Sequence, residues 1–327
     1  MVTKLSSNQT SNQDFVFILT GLPGLHNVQH WLSFPFIIIF LVALLGNVAV
    51  PLIIIIDKCL HEPMYYFISI LSVVDLIACL SVLPSVLLTL VFGSLSVLPD
   101  ACFLQMFCVP FIGVMQSAVL VLMAYDRYIA VCKPLRYSTI VTNTFIVKAF
   151  LLFTIRSICA VLPIPVLANL LPYCGERSVQ NIHCEYLSVI NVACARTTIS
   201  DNFHYIIFPL VGLPDATLIG LSYYRIVRVT LQLKSKEALQ KTFSTCSSHI
   251  SVFALVYLSV LLSTVLSLSE NHMPPYMPPL SSVIYLLIPP TLNPLVYGAK
   301  SKQIKKTVLK HFRNIKSTLT DKQRTHF

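Results

Sequence analysis

Apolar residues dominate seven long stretches of the chain, and shorter polar stretches separate them. Each apolar stretch is long enough for a helix of about 20 residues, which crosses a hydrocarbon core of about 30 Å. The pattern therefore predicts an all-α membrane protein with a seven-transmembrane helix bundle. The predicted spans cover roughly residues 33–56, 64–90, 102–125, 145–168, 204–227, 240–267 and 280–299.

The composition agrees with insertion into a membrane. Of the 327 residues, 55% are hydrophobic and only 11% are charged, and the mean hydropathy is +0.76. Soluble domains carry roughly 25% charged residues. The net charge of +10 does not indicate nucleic-acid binding, because the Lys and Arg residues are concentrated in alternate loops and at the C-terminus. By the positive-inside rule, this distribution places the N-terminus outside the cell and the C-terminus in the cytoplasm.

Two terminal segments flank the predicted bundle domain of residues 33–299. Residues 1–32 are predicted to be an extracellular tail with a glycosylation sequon at Asn8. Residues 300–327 are predicted to be a short amphipathic cytoplasmic helix and tail, because apolar residues share one helical face and lysines surround them. The apolar residues of that face are Ile304, Val308, Leu309 and Phe312.

Three ionisable residues lie well inside apolar sequence. Asp75, Arg156 and Asp215 would be costly in lipid, so each is expected to face the bundle and to find a partner there. Asn47 in the first span is a candidate hydrogen-bond partner for Asp75. Arg156 and Asp215 could pair with each other, or each could bind water and backbone carbonyls, and the sequence leaves both arrangements open.

Four cysteines lie on the predicted extracellular side. Cys102 begins the third span, and Cys174, Cys184 and Cys194 lie in the long loop of about residues 169–203. Because an extracellular loop is oxidising, disulfides are expected. Four cysteines allow three pairings, and the residues alone do not choose among them. Metal binding by these cysteines with His183 is the alternative.

Three motifs lie at the predicted cytoplasmic ends of the spans. Residues 123–137 read Met-Ala-Tyr-Asp-Arg-Tyr-Ile-Ala-Val-Cys-Lys-Pro-Leu-Arg-Tyr, and residues 241–249 read Lys-Thr-Phe-Ser-Thr-Cys-Ser-Ser-His. The seventh span ends with Asn293, Pro294 and Tyr297, and a proline inside a helix frees a backbone carbonyl and bends the helix. By itself, the Asp126-Arg127 pair could simply mark the point where a helix leaves the lipid.

Together with Pro-Met-Tyr-Tyr-Phe at residues 63–67, these strings resemble the signature of the odorant receptors, which are rhodopsin-like G-protein-coupled receptors. Gly-Leu-Pro-Gly-Leu at residues 21–25 and the long loop are most similar to the class I group. The resemblance implies a multi-pass protein of the plasma membrane. It also implies two disulfides, Cys102–Cys184 and Cys174–Cys194.

The resemblance implies roles in activation for several residues. Asp126 is expected to restrain Arg127 at rest, and Arg127 is expected to turn toward the G protein on activation. The Asn-Pro-x-x-Tyr segment moves inward, and the resemblance allows a sodium ion near Asp75. The full set of implied residues is Asp75, Asp126, Arg127, Tyr128, Tyr223, Asn293, Pro294 and Tyr297.

The expected function is that of an odorant-activated receptor, not an enzyme. It would bind a small molecule in the outer half of the bundle, activate a stimulatory G protein of the olfactory type and raise cAMP. A polytopic transporter or channel is the alternative, but the sequence has no inverted repeat and few intramembrane charges. An intramembrane enzyme would need a catalytic pattern such as His-Glu-x-x-His, which the sequence lacks.

The candidate ligand-binding residues lie in the outer halves of three spans and in the long loop. Val109 stands where amine receptors carry an Asp, which argues against amines bound by that salt bridge. Acid-binding class I receptors carry an Arg where this chain has Leu268, so neutral odorants are predicted, with Thr264 as one anchor. The candidate set is Met106, Pro110, Gly113, Val114, Leu187, His204, Phe208, Tyr257, Leu261, Thr264 and Leu268.

Overall fold

The computed structural model of the protein describes residues 15–175, 177–232, 236–269, 272–300 and 303–307. Within these residues, seven helical segments are long and apolar enough to cross a membrane, which confirms the predicted seven-helix bundle. The fourth crossing consists of two consecutive helices, α5 and α6. The long helices are α1 (Ser33–Ile56), α2 (Pro63–Phe92), α3 (Pro99–Cys132), α5 (Asn143–Val161), α6 (Pro163–Asn169), α8 (Thr198–Gln232), α9 (Lys236–Leu268) and α10 (Met277–Lys300).

Short elements complete the chain between these helices. The α-helical turns are α4 (Tyr137–Ile140) and α7 (Tyr186–Ile190), and the 3-10 helices are Gln29–Leu32, Lys58–Leu60 and Pro134–Arg136. Residues 303–307 are helical after α10, and Thr307 donates a hydrogen bond of 2.7 Å to the Asp57 carboxylate at the end of α1. Most of the predicted amphipathic segment, like the Asn8 sequon, lies outside the described residues.

Helix α3 lies at the centre of the bundle. Residues 114–124 of α3 are buried without interruption, whereas α1, α5, α8 and α9 expose long rows of Leu, Ile and Val side chains on their outward faces. An apolar outward face is what lipid requires, so the outer helices need not alternate polar and apolar residues as helices in water do. The α3 helix has 34 residues and is therefore about 50 Å long, which exceeds the hydrocarbon core.

Helices α1 and α10 approach each other closely at Gly46. A Cβ atom on this glycine would lie 2.8 Å from Cβ of Pro294, so a larger residue would push the two helices apart. Pro294 has no backbone N–H, which leaves the carbonyl of Pro290 without its usual helical donor. The side-chain amide of Asn47 donates to that carbonyl at 2.7 Å. Asn47 thus satisfies the backbone group that the proline frees.

A small three-stranded sheet covers one end of the bundle, which we call the sheet end. Its strands are β1 (Phe17–Leu19), β2 (Leu95–Val97) and β3 (Ser178–Val179), in the order β2-β1-β3. Strand β1 pairs antiparallel with β2, with Ile18 opposite Ser96, and parallel with β3. The described part of the N-terminal segment is therefore built into the fold, although the sequence pattern suggested only a tail.

Gln29 holds the connection between β1 and α1 in place. Its side-chain oxygen accepts a hydrogen bond of 2.9 Å from the backbone N–H of Leu22. Gly21 has a φ of +82°, and a Cβ atom on it would collide with the Gln29 amide. Only glycine meets both requirements without strain. The segment that connects the sheet to the first membrane helix thus has a defined path across the sheet end.

Candidate functional site

At the end of the bundle opposite the sheet, Asp126 and Arg127 form an ion pair. Nε and Nη2 of Arg127 lie 2.9 Å and 2.7 Å from Oδ2 of Asp126, and the carboxylate is almost fully buried. Tyr137, at the start of α4, donates a hydrogen bond of 2.7 Å to Oδ1. Burial and this contact raise the pKa of the Tyr137 hydroxyl. Both oxygens of Asp126 are therefore engaged, and Arg127 is held against its own helix.

The other residues implied in activation surround this pair. Tyr297 is buried, with its hydroxyl 3.9 Å from the sulfur of Met123 and its ring 5.9 Å from that of His249. Tyr223 packs against the same core cluster as Tyr297. Tyr128 lies partly buried, with the Lys133 ammonium 5.9 Å from its ring. The described hydrogen bonds of Arg127 run to Asp126, so the roles of these three tyrosines in activation stay predictions.

Asp75 lies fully buried between α2, α3 and α10, and its partners differ from the expected one. Gln116 donates to Oδ1 at 2.6 Å, and Asn293 donates to Oδ2 at 2.8 Å. The suggested bond to Asn47 was wrong, because the amide of Asn47 is used by the backbone carbonyls of Pro290 and Ala43. Sequence reasoning missed Gln116, although a lone glutamine inside an apolar span was a signal that a buried polar group needed it.

The sodium ion that the resemblance allowed near Asp75 stays a prediction. Each carboxylate oxygen already accepts a hydrogen bond from a side-chain amide nitrogen, of Gln116 or of Asn293. These bonds use two of the roughly four lone-pair positions of the carboxylate, and Oδ1 of Asn293 is a buried oxygen without a described partner. We assign no step of signalling to a bound ion.

Arg156 and Asp215 pair with each other, which settles the alternative that the sequence left open. The guanidinium binds both carboxylate oxygens, with Nη1–Oδ1 at 2.6 Å and Nη2–Oδ2 at 2.8 Å. Ser117 donates to Oδ2 at 2.7 Å, and its hydroxyl lies 2.8 Å from that of Tyr257. This polar cluster joins α3, α5, α8 and α9 in the middle of the membrane.

Toward the sheet end, a small cavity lies between α3, α6, α8, α10 and the loop that precedes α7. Its volume is about 40 Å³. A buried water needs about 10–15 Å³, so the cavity has room for a few waters or one small organic group. Three of the candidate residues, Met106, Pro110 and Phe208, line it. The other lining residues are Val109, Ile164, His183, Cys184, Glu185, Tyr186, Ser282 and Tyr285.

Four other candidates lie near the cavity without lining it. Gly113 lies one turn along α3 from Pro110, and Val114 is buried in the core cluster at the sheet end. Leu187 packs against that same cluster. Tyr257 belongs to the Arg156–Asp215 cluster deeper in the bundle.

Two candidates lie on the outward face of α9, which requires a correction. Leu261 is 59% exposed, and Thr264 is exposed with its hydroxyl bonded to the carbonyl of Val260. The structure therefore offers no place in the cavity for the proposed Thr264 anchor. A nearly all-apolar helix gives no periodicity from which its rotation could be deduced. The side chains of His204 and Leu268 lie outside the described part of the structure.

Two disulfides fix the loop that covers the cavity. Cys102 is joined to Cys184 across 82 residues of sequence, and Cys174 is joined to Cys194 across 20. The pairing is the one that the resemblance implied, and it leaves none of these thiolates for a metal. The backbone N–H of Cys184 also donates to Oε1 of Gln105 on α3 at 2.8 Å.

The comparisons with known proteins agree with this architecture. A family profile described as Olfactory receptor matches residues 36–315. Human Olfactory receptor 52K1 is 38% identical over 94% of this chain and 98% of its own length. Human Olfactory receptor 56A1 is 39% identical over 93% of this chain and 96% of its own length. Human Olfactory receptor 52N5 is 38% identical over 92% of this chain and 93% of its own length.

These matches extend over most of the chain, and the family they name consists of odorant-sensing receptors rather than enzymes. The relatives of the 52 and 56 series are consistent with the class I group. A profile match and full-length relatives together establish membership. The chain therefore belongs to the olfactory receptor family, the odorant-sensing G-protein-coupled receptors that cross the plasma membrane seven times.

Proposed function

We propose that this receptor binds a small odorant at the sheet end and activates a stimulatory G protein of the olfactory type, raising cAMP. The sheet end would face outward, because the basic loops lie at the opposite end. The observation that carries the proposal is the restrained state of Arg127. This arginine is partly buried and bonded to Asp126, which Tyr137 also holds, at the end where a cytoplasmic partner would dock.

The polar clusters between the two ends support a link from ligand to Arg127. Tyr257 on α9 is bonded to Ser117 on α3, and Asn293 on α10 is bonded to Asp75 on α2. A ligand that binds better to a bundle with shifted α9 or α10 would weaken these contacts and favour release of Arg127. A ligand can shift such an equilibrium only through this difference in affinity.

The cavity supports neutral odorants over carboxylic acids. Of the residues described as lining it, none is Lys or Arg, and one, Glu185, is acidic. A carboxylate in such a site would lack a counter-ion, and burying it would cost several kcal/mol. Binding sites for drug-sized ligands measure roughly 300–1,000 Å³, so an odorant of ordinary size must also widen the cavity.

The test is Arg127→Ala, measured for surface display and for cAMP during an odorant screen. We expect normal display and loss of the odorant-driven signal, because the charge serves a partner and not insertion. Arg196→Ala is the matched control, since it removes an exposed arginine from the sheet end. An Arg127→Ala receptor that is displayed and signals like the wild type would contradict the proposal.

A further inference from the structure

We propose that His183 and Glu185 form a polar subsite that selects odorants carrying a hydrogen-bond donor, above all a hydroxyl group. This inference rests on the proposed function, because it concerns the ligand of the same cavity. It goes further by naming two loop residues and the chemical group that they would recognise. Neither residue was a candidate for odorant binding from the sequence pattern, which offered His183 only as an alternative metal ligand.

The subsite is held rigidly because its central residue, Cys184, is fixed in two ways. The disulfide to Cys102 and the hydrogen bond from the Cys184 N–H to Gln105 attach it to α3. Gln105 is itself held by α2, since its amide donates to the Ser81 carbonyl at 2.7 Å and to the Ser85 hydroxyl at 2.9 Å. The neighbours of Cys184 on both sides are therefore positioned at the cavity before any ligand arrives.

His183 contributes a polar atom that the protein itself does not satisfy. Its side chain is 2% exposed, and Nδ1 has no hydrogen-bond partner among the described residues. Burial lowers the pKa of His183 to about 4, so the imidazole is neutral at physiological pH. A neutral imidazole nitrogen either donates or accepts, depending on the tautomer. A buried atom of this kind, in the wall of a cavity, favours a ligand that can complete its hydrogen bond.

Glu185 determines whether a ligand group at the subsite must donate or accept a hydrogen bond, and which charge that group can carry. Its Oε2 accepts a hydrogen bond of 2.8 Å from the amide of Asn181 and lies 3.4 Å from the hydroxyl of Ser188. These contacts hold the carboxylate in place, and Asn181 is itself fully buried. An ionised carboxylate only accepts hydrogen bonds. A ligand group that faces it must donate.

A hydroxyl group meets both requirements. It can donate to the Glu185 carboxylate while it accepts from His183 Nδ1–H, or it can donate to Nδ1 in the other tautomer. A ketone only accepts, so it cannot bind the carboxylate. A carboxylate is repelled by Glu185. A protonated amine donates to both groups and shares the recognition chemistry, so amines form a separate arm of the test.

The experiment measures thermal unfolding of the purified full-length receptor at neutral pH with four small probes: butanol, butylamine, butanone and butyrate. We expect butanol to bind most tightly among the uncharged probes, with butanone about tenfold weaker, and butyrate to give no stabilisation. An amine that binds as well as butanol supports the shared donor chemistry. Equal stabilisation by butyrate and butanol, or by butanone and butanol, would overturn the inference, as would the absence of any shift with butanol.

Glu185→Gln tests whether the Glu185 carboxylate is what favours hydrogen-bond donors, because a glutamine amide is neutral and can also donate to an acceptor. In this variant we expect the difference between butanol and butanone to shrink to about twofold or less. Asp100→Asn is the matched control, since it neutralises an exposed acid at the start of α3 and should keep the wild-type order of probes. If Glu185→Gln does not fold, His183→Phe removes the nitrogens and keeps a ring, and it should weaken butanol more than butanone.

A purely structural role for the two residues predicts equal loss for all probes, and that result counts against the inference. The proposed function fails in a different way. A receptor that binds the probes in the expected order but never raises cAMP with any odorant contradicts the signalling proposal and leaves the subsite intact.

Discussion

Two carboxylates, Asp75 and Asp215, are fully buried in the middle of the bundle, and the protein compensates them by different means. Asp215 receives a full positive charge from Arg156 in a bidentate pair, with Ser117 as a third donor. Asp75 receives only neutral amide donors, from Gln116 and Asn293. The first site is an ion pair, and the second is a negative charge held by dipoles.

This difference between an ion pair and neutral amide donors indicates that the two sites have different structural roles. An ion pair that loses one partner leaves a bare charge in the membrane, so the Asp215 cluster resists separation of α5 from α8. A hydrogen bond from a neutral amide to a charged group contributes less, about 1.5–3 kcal/mol. The contacts between α2, α3 and α10 at Asp75 can therefore rearrange at lower cost. We expect Asp215 to belong to the fixed scaffold and Asp75 to the part that moves.

The largest effect is expected when the ion pair is broken. Arg156→Leu leaves the carboxylate of Asp215 buried without its counter-ion, which should cost about 3–5 kcal/mol and abolish surface display. Arg156→Leu combined with Asp215→Leu removes both charges and should recover most of the thermal stability. Arg196→Leu, which breaks an exposed pair with Asp201, should cost less than about 1 kcal/mol. A single Arg156→Leu variant as stable as the double variant would show that Asp215 needs no counter-ion.

A middle-sized effect is expected at Gln116. Replacing it with Ala removes one of the two amide donors of Asp75, and a hydrogen bond to a charged group contributes about 1.5–3 kcal/mol. We expect the Gln116→Ala receptor to reach the cell surface, to melt at a lower temperature than the wild type and to show altered basal cAMP. The melting temperature of the wild type in sodium chloride and in choline chloride tests the predicted sodium ion. Stabilisation specific to sodium would support a cation at Asp75, and equal melting temperatures would count against it.

The smallest effect is expected from Tyr257→Phe. This change removes one hydroxyl from the edge of the Asp215 cluster and leaves Ser117 bonded to the carboxylate. A loss of about 0.6 kcal/mol in stability is expected, whereas the odorant-driven cAMP signal should change more, since the bond joins α9 to α3. Tyr224→Phe, on an exposed ring of α8, is the control and should change neither quantity.

The sequence predicts the parts of this fold that depend on length and on local pattern. Seven apolar stretches define seven crossings, and the isolated charges of Arg156 and Asp215 had to face inward because lipid offers them no partner. The motif around Arg127 lies at the end of the bundle opposite the cavity. These predictions rest on the cost of polar groups in hydrocarbon, which is large enough to act on single residues.

Features that depend on helix rotation and on distant pairing could not be predicted. Leu261 and Thr264 lie on the outward face of α9. The sequence does not reveal this rotation, because α9 is apolar on nearly all sides and both lipid and the bundle interior favour apolar residues. The cavity residues His183 and Glu185 lie in a loop whose path depends on a disulfide and on Gln105. The bond from Asn47 to the Pro290 carbonyl did have a signal, since Pro294 four residues later frees that carbonyl.

The parallel pairing of β1 with β3 has a consequence for how the receptor is made. Residues 17–19 emerge from the ribosome long before residues 178–179, and four membrane crossings are synthesised between them. Contacts between such distant segments form slowly, because a long loop must close first. Strand β1 can pair with β2 once residues 95–97 are made, but its other edge must wait for β3 until the fourth crossing is complete. Closure of the sheet is thus a late step in biogenesis, and a misfolded loop would leave one edge of β1 unpaired.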